Sequence, residues 1–162
     1  RHSNTMAGAW PRRWPLAQHG AFKHHGDHQS MPKQLQDSEY LSLGTWRKNG
    51  TIVDTPVWFA PGGDYLYVFS AGDAGKVKRL RNSSRARVAP CTVTGKVLGG
   101  WQDATAIVLD DPQEIAAAYQ ALHARYRWRM VAIDLVSRLA GRFKKRKLIR
   151  IALHGGAGAP AA

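Results

Sequence analysis

The sequence predicts a mainly β domain, a small antiparallel barrel with flanking helices, and three observations carry that expectation. Apolar runs rich in branched and aromatic residues, separated by Gly- and Asn-containing turns, recur from Tyr40 to Leu109. Two amphipathic helical patterns follow over 112–143, and Leu148 to Leu153 returns to strand periodicity. With 162 residues, 44% of them hydrophobic, the chain can bury one ordinary core and is too short for two typical domains.

Residues 1–30 stand apart from this pattern. They hold five of the seven histidines, His2, His19, His24, His25 and His28, and show no apolar periodicity. Met31-Pro32-Lys33 reads as a natural beginning. We therefore expect 1–30 to be a disordered leader or non-native extension, 31–154 the folded domain, and 155–162, with Gly155-Gly156-Ala157-Gly158, a flexible tail. A histidine-rich tail is the simpler account of His24, His25 and His28, and no metal is assigned to them.

The first strand is expected over Tyr40 to Trp46 and the second over Thr51 to Phe59, joined at Lys48-Asn49-Gly50. There Asn49-Gly50 supplies the positive φ angles of a tight hairpin turn. Pro61-Gly62-Gly63-Asp64 forms the next turn, and Tyr65 to Phe69 the third strand. Gly75 to Asn82 reads as a short basic helix. Arg85 and Arg87 then alternate with Ala86 and Val88 in a fourth strand running to Thr94. The fifth, Lys96 to Leu109, should be kinked or bulged at Gly99-Gly100, just before Trp101.

Asp111-Pro112-Gln113-Glu114 is a helix start, with Asp at the N-cap and Pro at the first helical position. Ile115, Tyr119, Leu122 and Tyr126 then share one face. A second helix would bury Val131, Leu135 and Leu139 and pair Asp134 with Arg138.

The formal charge of +13, from 24 Lys and Arg against 11 Asp and Glu, attracts anions without choosing among phosphate, nucleic acid and acidic lipid. Arg142, Lys144, Lys145, Arg146 and Lys147 read as a solvated helix end. Cys91, the single cysteine, excludes an intramolecular disulfide and a cysteine-only zinc site, and it fits a reducing cytoplasm. No apolar run approaches the roughly 20 residues of a bilayer span. A cytoplasmic protein without a stable nucleic-acid or membrane partner is expected.

Two segments carry the candidate chemistry. Pro56 lacks a ladder donor, so Thr55-Pro56-Val57-Trp58-Phe59 reads as a strand edge or bulge. The main chain of Val57 and Trp58 and the Thr55 hydroxyl are then placed to bond the rim of a flat heterocycle, although a proline at an edge also serves simply against aggregation. Gly75-Lys76-Val77-Lys78-Arg79 joins free amides at a helix start to adjacent cations, which favours phosphate by two routes, while a solvated basic helix would show the same residues. It is not a Walker loop, because Val77 stands where Ser or Thr would hold magnesium. Gly72-Asp73-Ala74-Gly75 matches the backbone-clamping loop of KH modules, but an aromatic strand precedes it where such modules need a helix. The domain shows no paired carboxylates, nucleophile elbow or metal-ligand spacing, so any chemistry would belong to a bound cofactor.

From about Asp37 to Leu153 the chain resembles the pyridoxamine 5′-phosphate oxidase-like split β-barrel family, in its flavin- and deazaflavin- (coenzyme F-420) dependent oxidoreductase subgroup. The residues that carry the likeness are Tyr40-Leu41-Ser42-Leu43-Gly44-Thr45, the Thr55-Pro56-Val57-Trp58-Phe59 strand, Gly75 to Asn82, and Val88-Ala89-Pro90-Cys91 leading through Gly99 to Trp101. The resemblance implies a six-stranded antiparallel split β-barrel, a homodimer with cofactor sites at its interface, and two-electron reduction of a small organic substrate with F-420 or FMN. By position it implies that Lys76, Lys78 and Arg79 bind the cofactor phosphate, that Thr55, Pro56, Val57 and Trp58 line the ring, and that Trp101 contacts the site from either subunit. The chain departs from the family at Asn82-Ser83-Ser84-Arg85, and it shows no match to the substrate-binding C-terminus of vitamin B6 oxidases. The alternative expectation is a non-enzymatic cofactor carrier on the same barrel or a basic nucleic-acid-binding module.

Overall fold

A computed structural model of the chain describes residues 31–127, 129, 132 and 146–155. The expected leader, the second amphipathic helix with its Val131, Leu135, Leu139 and Asp134 pattern, and the tail beyond Gly155 lie outside the described residues.

Six strands close a barrel in the order β1-β2-β3-β6-β5-β4. They are β1 (Tyr40–Trp46), β2 (Ile52–Gly62), β3 (Tyr65–Ala71), β4 (Arg85–Cys91), β5 (Gln102–Val108) and β6 (Arg146–Leu153), and every pairing is antiparallel. Among the described residues three helices accompany them: α1 (Lys33–Gln36), α2 (Gly75–Asn82) and α3 (Pro112–Tyr126). Arg146 and Lys147, expected at a helix end, instead open β6.

The two-residue alternation sorts side chains into a barrel interior and an outer face. Leu41, Leu43, Val57, Phe59, Val68, Val88, Ala104, Ala106, Ile149 and Ile151 fill the interior, and Val77 and Leu80 of α2 join the same cluster. Outside, Ala60, Tyr67, Leu109 and Leu148 pack under Ala118, Leu122 and Tyr126 of α3. Each fully buried Leu or Phe contributes about 2–3 kcal/mol of transfer free energy.

The hairpin between β1 and β2 is one residue longer than the Asn49-Gly50 motif predicts. Gly50 alone is left-handed, at φ 84°, and its N–H donates to the Arg47 carbonyl at 2.9 Å. Asn49 serves through its side chain, whose Oδ1 accepts from the Thr51 N–H at 3.1 Å. The next turn is shorter than expected: β2 runs on to Gly62, and Gly63 at φ 64° turns the chain with Asp64.

The expected fourth and fifth strands are each trimmed. Between Cys91 and Gln102 the chain makes one turn, closed by the Gly95 N–H on the Thr92 carbonyl, and a single bridge from Cys91 to Val97. Val93 and Leu98 are exposed here (61% and 59%), so no sheet face exists for them to cover and strand pairing has nothing to stabilise it. Gly99 is a packing glycine rather than a bulge: a Cβ there would lie 2.8 Å from Pro90 Cγ and 2.4 Å from Gln34 Oε1.

In α3 the Asp111 side chain accepts from the Glu114 N–H at 3.0 Å, as its N-cap position predicts. The buried stripe is Ala118, Leu122 and Tyr126, with Ile115 and Tyr119 on its half-buried flank. Ala118 replaces them at the centre because a methyl side chain lets the helix approach the sheet closely.

Candidate functional site

β2 changes partner partway along its length. Ile52 to Trp58 pair with β1, whereas only Phe59 to Gly62 pair with β3. On the β3 side, the stretch up to Trp58 therefore faces an opening in the ladder. Pro56 lies on this stretch opposite Ser42, exposed, with its ring 3.8 Å from where a Gly95 Cβ would stand. An antiparallel ladder turns alternate residues' polar groups to opposite sides. Phe59 turns its N–H and carbonyl to the β1 side, where both meet the Tyr126 hydroxyl. By that alternation Val57 also bonds toward β1, while Asp54, Pro56 and Trp58 face the opening. The missing donor of Pro56 thus falls where β1 does not need it.

The four expected ring-lining residues divide between two surfaces. Val57 is buried in the interior and Thr55 shares its side, whereas Pro56 and Trp58 project outward. Trp58 stacks on Tyr126, with centroids 4.8 Å apart at 13°, and meets Phe69 edge-on at 6.2 Å. Trp101 is also on the outer face: the Arg87 guanidinium lies 4.0 Å over its ring and is held by Asp54 at 2.8 Å. That ion pair passes over Gly44, where a Cβ would come within 2.5 Å of Asp54 Oδ1.

The basic helix resolves into unlike positions. Val77 and Leu80 anchor α2 in the core, which sets Lys76 and Arg79 on the two borders of the buried face and Lys78 in solvent. Arg79 Nε donates to Thr45 Oγ1 at 2.7 Å, and its Nη1 leans over Gly75, where a Cβ would stand 2.8 Å away. Burial, and then the Arg79 charge, pushes the Lys76 ammonium below its ordinary pKa. Burial, and then the Arg47 charge, likewise lowers Arg79. The first turn of α2 carries no acidic residue, and its N-cap, Ala74, provides no side-chain bond. A half-buried Lys76 near the helix start, with the Arg79 guanidinium leaning toward Gly75, is an arrangement that an anion relieves.

Thr45 joins the two predicted segments. Its partner on β2 is Val53, and Thr55 is the next residue on the same inward side, about 7 Å along the strand. The structure therefore holds Arg79 against Thr45 of β1, with Thr55 two residues along β2 from the partner of Thr45, and leaves Trp58 and Trp101 on the outer surface. Sequence reasoning missed Thr45 and Arg47. The available signal was the polar Thr45 that interrupts the inward series Leu41, Leu43.

A separate open cleft of about 380 Å³ lies between the α1–β1 turn and the end of α3, lined by Asp37, Ser38, Glu39, Arg125 and Tyr126 among others. Three of its charged residues are engaged: Arg125 donates to the Ser38 carbonyl at 2.6 Å and Arg129 pairs with Glu39. None of the predicted site residues lines it.

No protein-family profile and no curated protein matches the sequence. Solved structures do. HutZ, the heme storage protein of Vibrio cholerae, aligns over 76% of this chain and 87% of its own, with a TM-score of 0.57 and 16% identity. A FAD-binding protein of Mesorhizobium loti aligns over 75% and 86%, with a TM-score of 0.52 and 17% identity. A Clostridium acetobutylicum protein of the pyridoxinephosphate oxidase family aligns over 74% and 78%, with a TM-score of 0.53 and 12% identity. Among the described residues no helix is long and apolar enough to cross a membrane. The fold of this chain is the pyridoxamine 5′-phosphate oxidase-like split β-barrel, with six antiparallel strands and flanking helices.

Proposed function

We propose that the chain binds a phosphorylated flavin-type ring, FMN or the deazaflavin F-420, and works as an oxidoreductase that passes hydride between that ring and a small organic substrate. The observation that carries this reading is the pairing of a half-buried Lys76 in the first turn of α2 with an Arg79 that Thr45 of β1 holds and whose guanidinium leans back toward Gly75. A phosphate there would offset the dehydration of both cations, and Lys78 would add longer-range attraction. Thr55, Val57 and the main chain around Pro56 would line the ring. The bound ring supplies the two-electron chemistry, and the protein's part is to hold, orient and shield it. Likeness of fold to a FAD-binding protein and to a member of the pyridoxinephosphate oxidase family supports the same reading.

The proposal includes a homodimer. Val93, Val97, Leu98 and Trp101 are exposed apolar side chains on the β4–β5 connection, and a second copy covering them would bring Trp101 toward its partner's cofactor. Titration with FMN and with F-420, followed by fluorescence quenching, should give saturable binding to at least one. Saturation by neither would overturn the reading. A second reading, cofactor storage without turnover, is favoured by the likeness to a heme storage protein. Oxidation of the reduced ring by an organic acceptor would exclude it.

A further inference from the structure

Arg47 follows β1 by one residue and, by strand alternation, lies on the side of Thr45, the residue that holds Arg79. Its backbone is fixed on both sides of the hairpin: Arg47 N–H donates to the Thr51 carbonyl at 2.8 Å and its own carbonyl accepts from Gly50 at 2.9 Å. With Nε committed to Thr45, Arg79 presents its remaining N–H groups toward Gly75, and glycine at that position leaves the space. The field of Arg47 is felt by Arg79, and that of Arg79 by Lys76, so the three cations form a chain of mutual repulsion. Among the described residues the ion pairs engage Arg87, Arg129, Lys147 and Arg150, and none engages Arg47, Lys76 or Arg79. A phosphodiester brings one negative charge to this cluster and a terminal phosphomonoester brings close to two, so the second offsets the repulsion far better.

We infer that Arg47 is a third cation of the phosphate grip and that the grip selects a ring ending in a phosphomonoester, as FMN does, over one whose phosphate is a diester, as in F-420, or a pyrophosphate that divides its two charges between two phosphates, as in FAD. This rests on the flavin reading above. The test is quenching titration of the full chain with FMN, riboflavin, FAD and F-420, using wild type, Arg47→Ala and the charge-matched Arg81→Ala, which changes an exposed residue of α2. FMN should bind at least about tenfold more tightly than the other three, as one or more charge-assisted contacts imply. Arg47→Ala should weaken FMN about tenfold and leave riboflavin within about twofold, while Arg81→Ala leaves both within about twofold. Far-ultraviolet circular dichroism and thermal unfolding of Arg47→Ala should match wild type. Equal loss of FMN and riboflavin affinity in Arg47→Ala, equal effects of the two substitutions, or tighter binding of FAD or F-420 than of FMN would overturn the inference alone. Failure of all four rings to bind wild type would overturn the flavin reading and this inference with it.

Discussion

Replacing Tyr126 by Phe removes one oxygen atom from the place where β1 and β2 part. That hydroxyl accepts from the Phe59 N–H at 3.1 Å and lies 2.8 Å from the Phe59 carbonyl and 3.1 Å from the Glu39 carbonyl. It therefore stands in for the next residue of the β1 ladder, tying α3 to the interior of the barrel. Phe59 is fully buried, so its N–H would be left without an acceptor, at a cost of about 1–3 kcal/mol. Loss of the donated bond to a carbonyl adds about 1 kcal/mol, for a total of about 2–4 kcal/mol. The stack on Trp58 survives the substitution, because the ring itself is kept. Equilibrium urea unfolding, followed by circular dichroism, measures the difference. Its pH dependence gives a second, independent sign. Burial raises the Tyr126 pKa above 10.0 in the folded chain. The folded state thus holds the phenolic proton more tightly than the unfolded one, so this contribution is complete below pH 10.0 and is lost as pH rises further. Wild type should approach Tyr126→Phe in stability above that pH. A loss under about 0.5 kcal/mol at neutral pH, or a gap that widens in alkali, would refute the bridging role.

Three other outcomes follow from the structure. Lys76→Ala should weaken flavin binding by about tenfold or more and Lys78→Ala by less than about threefold, because only Lys76 is half-buried beside Arg79; equal effects in the quenching titration would contradict this placement. Gly44→Ala should destabilise the fold by about 1–3 kcal/mol in urea, since its methyl group displaces the Asp54–Arg87 pair lying over that position, and Asp54→Ala should relieve part of the loss. Leu98→Glu should shift the proposed dimer toward monomer in sedimentation or light scattering without lowering monomer stability, because Leu98 is 59% exposed in the single chain.

The elements that the sequence made legible are those whose signal is local. The limits of α2 and the Asp111 cap follow from bonds made within a few residues, and the alternation that opens β4 from local strand geometry. The trimmed ends of β4 and β5 were illegible for the opposite reason. Alternating residues over 92–101 look like strand, but whether they pair depends on a partner that only the closed barrel could supply or withhold.

The candidate site divides along the same line. By itself the sequence determined that a proline interrupts a strand, that cations open a helix, and that both belong to a small β-barrel. Only the tertiary structure decided that β2 changes partner at Phe59, so that Pro56 faces an opening, and that Thr45 on β1 holds Arg79 of α2. It also turned Trp58 and Trp101 to the outer surface and exposed Lys78, separating residues that look alike on paper. The physical reason is that periodicity gives each side chain one of two faces, whereas which face meets which neighbour is set by barrel closure, a property of pairings between residues far apart in the chain.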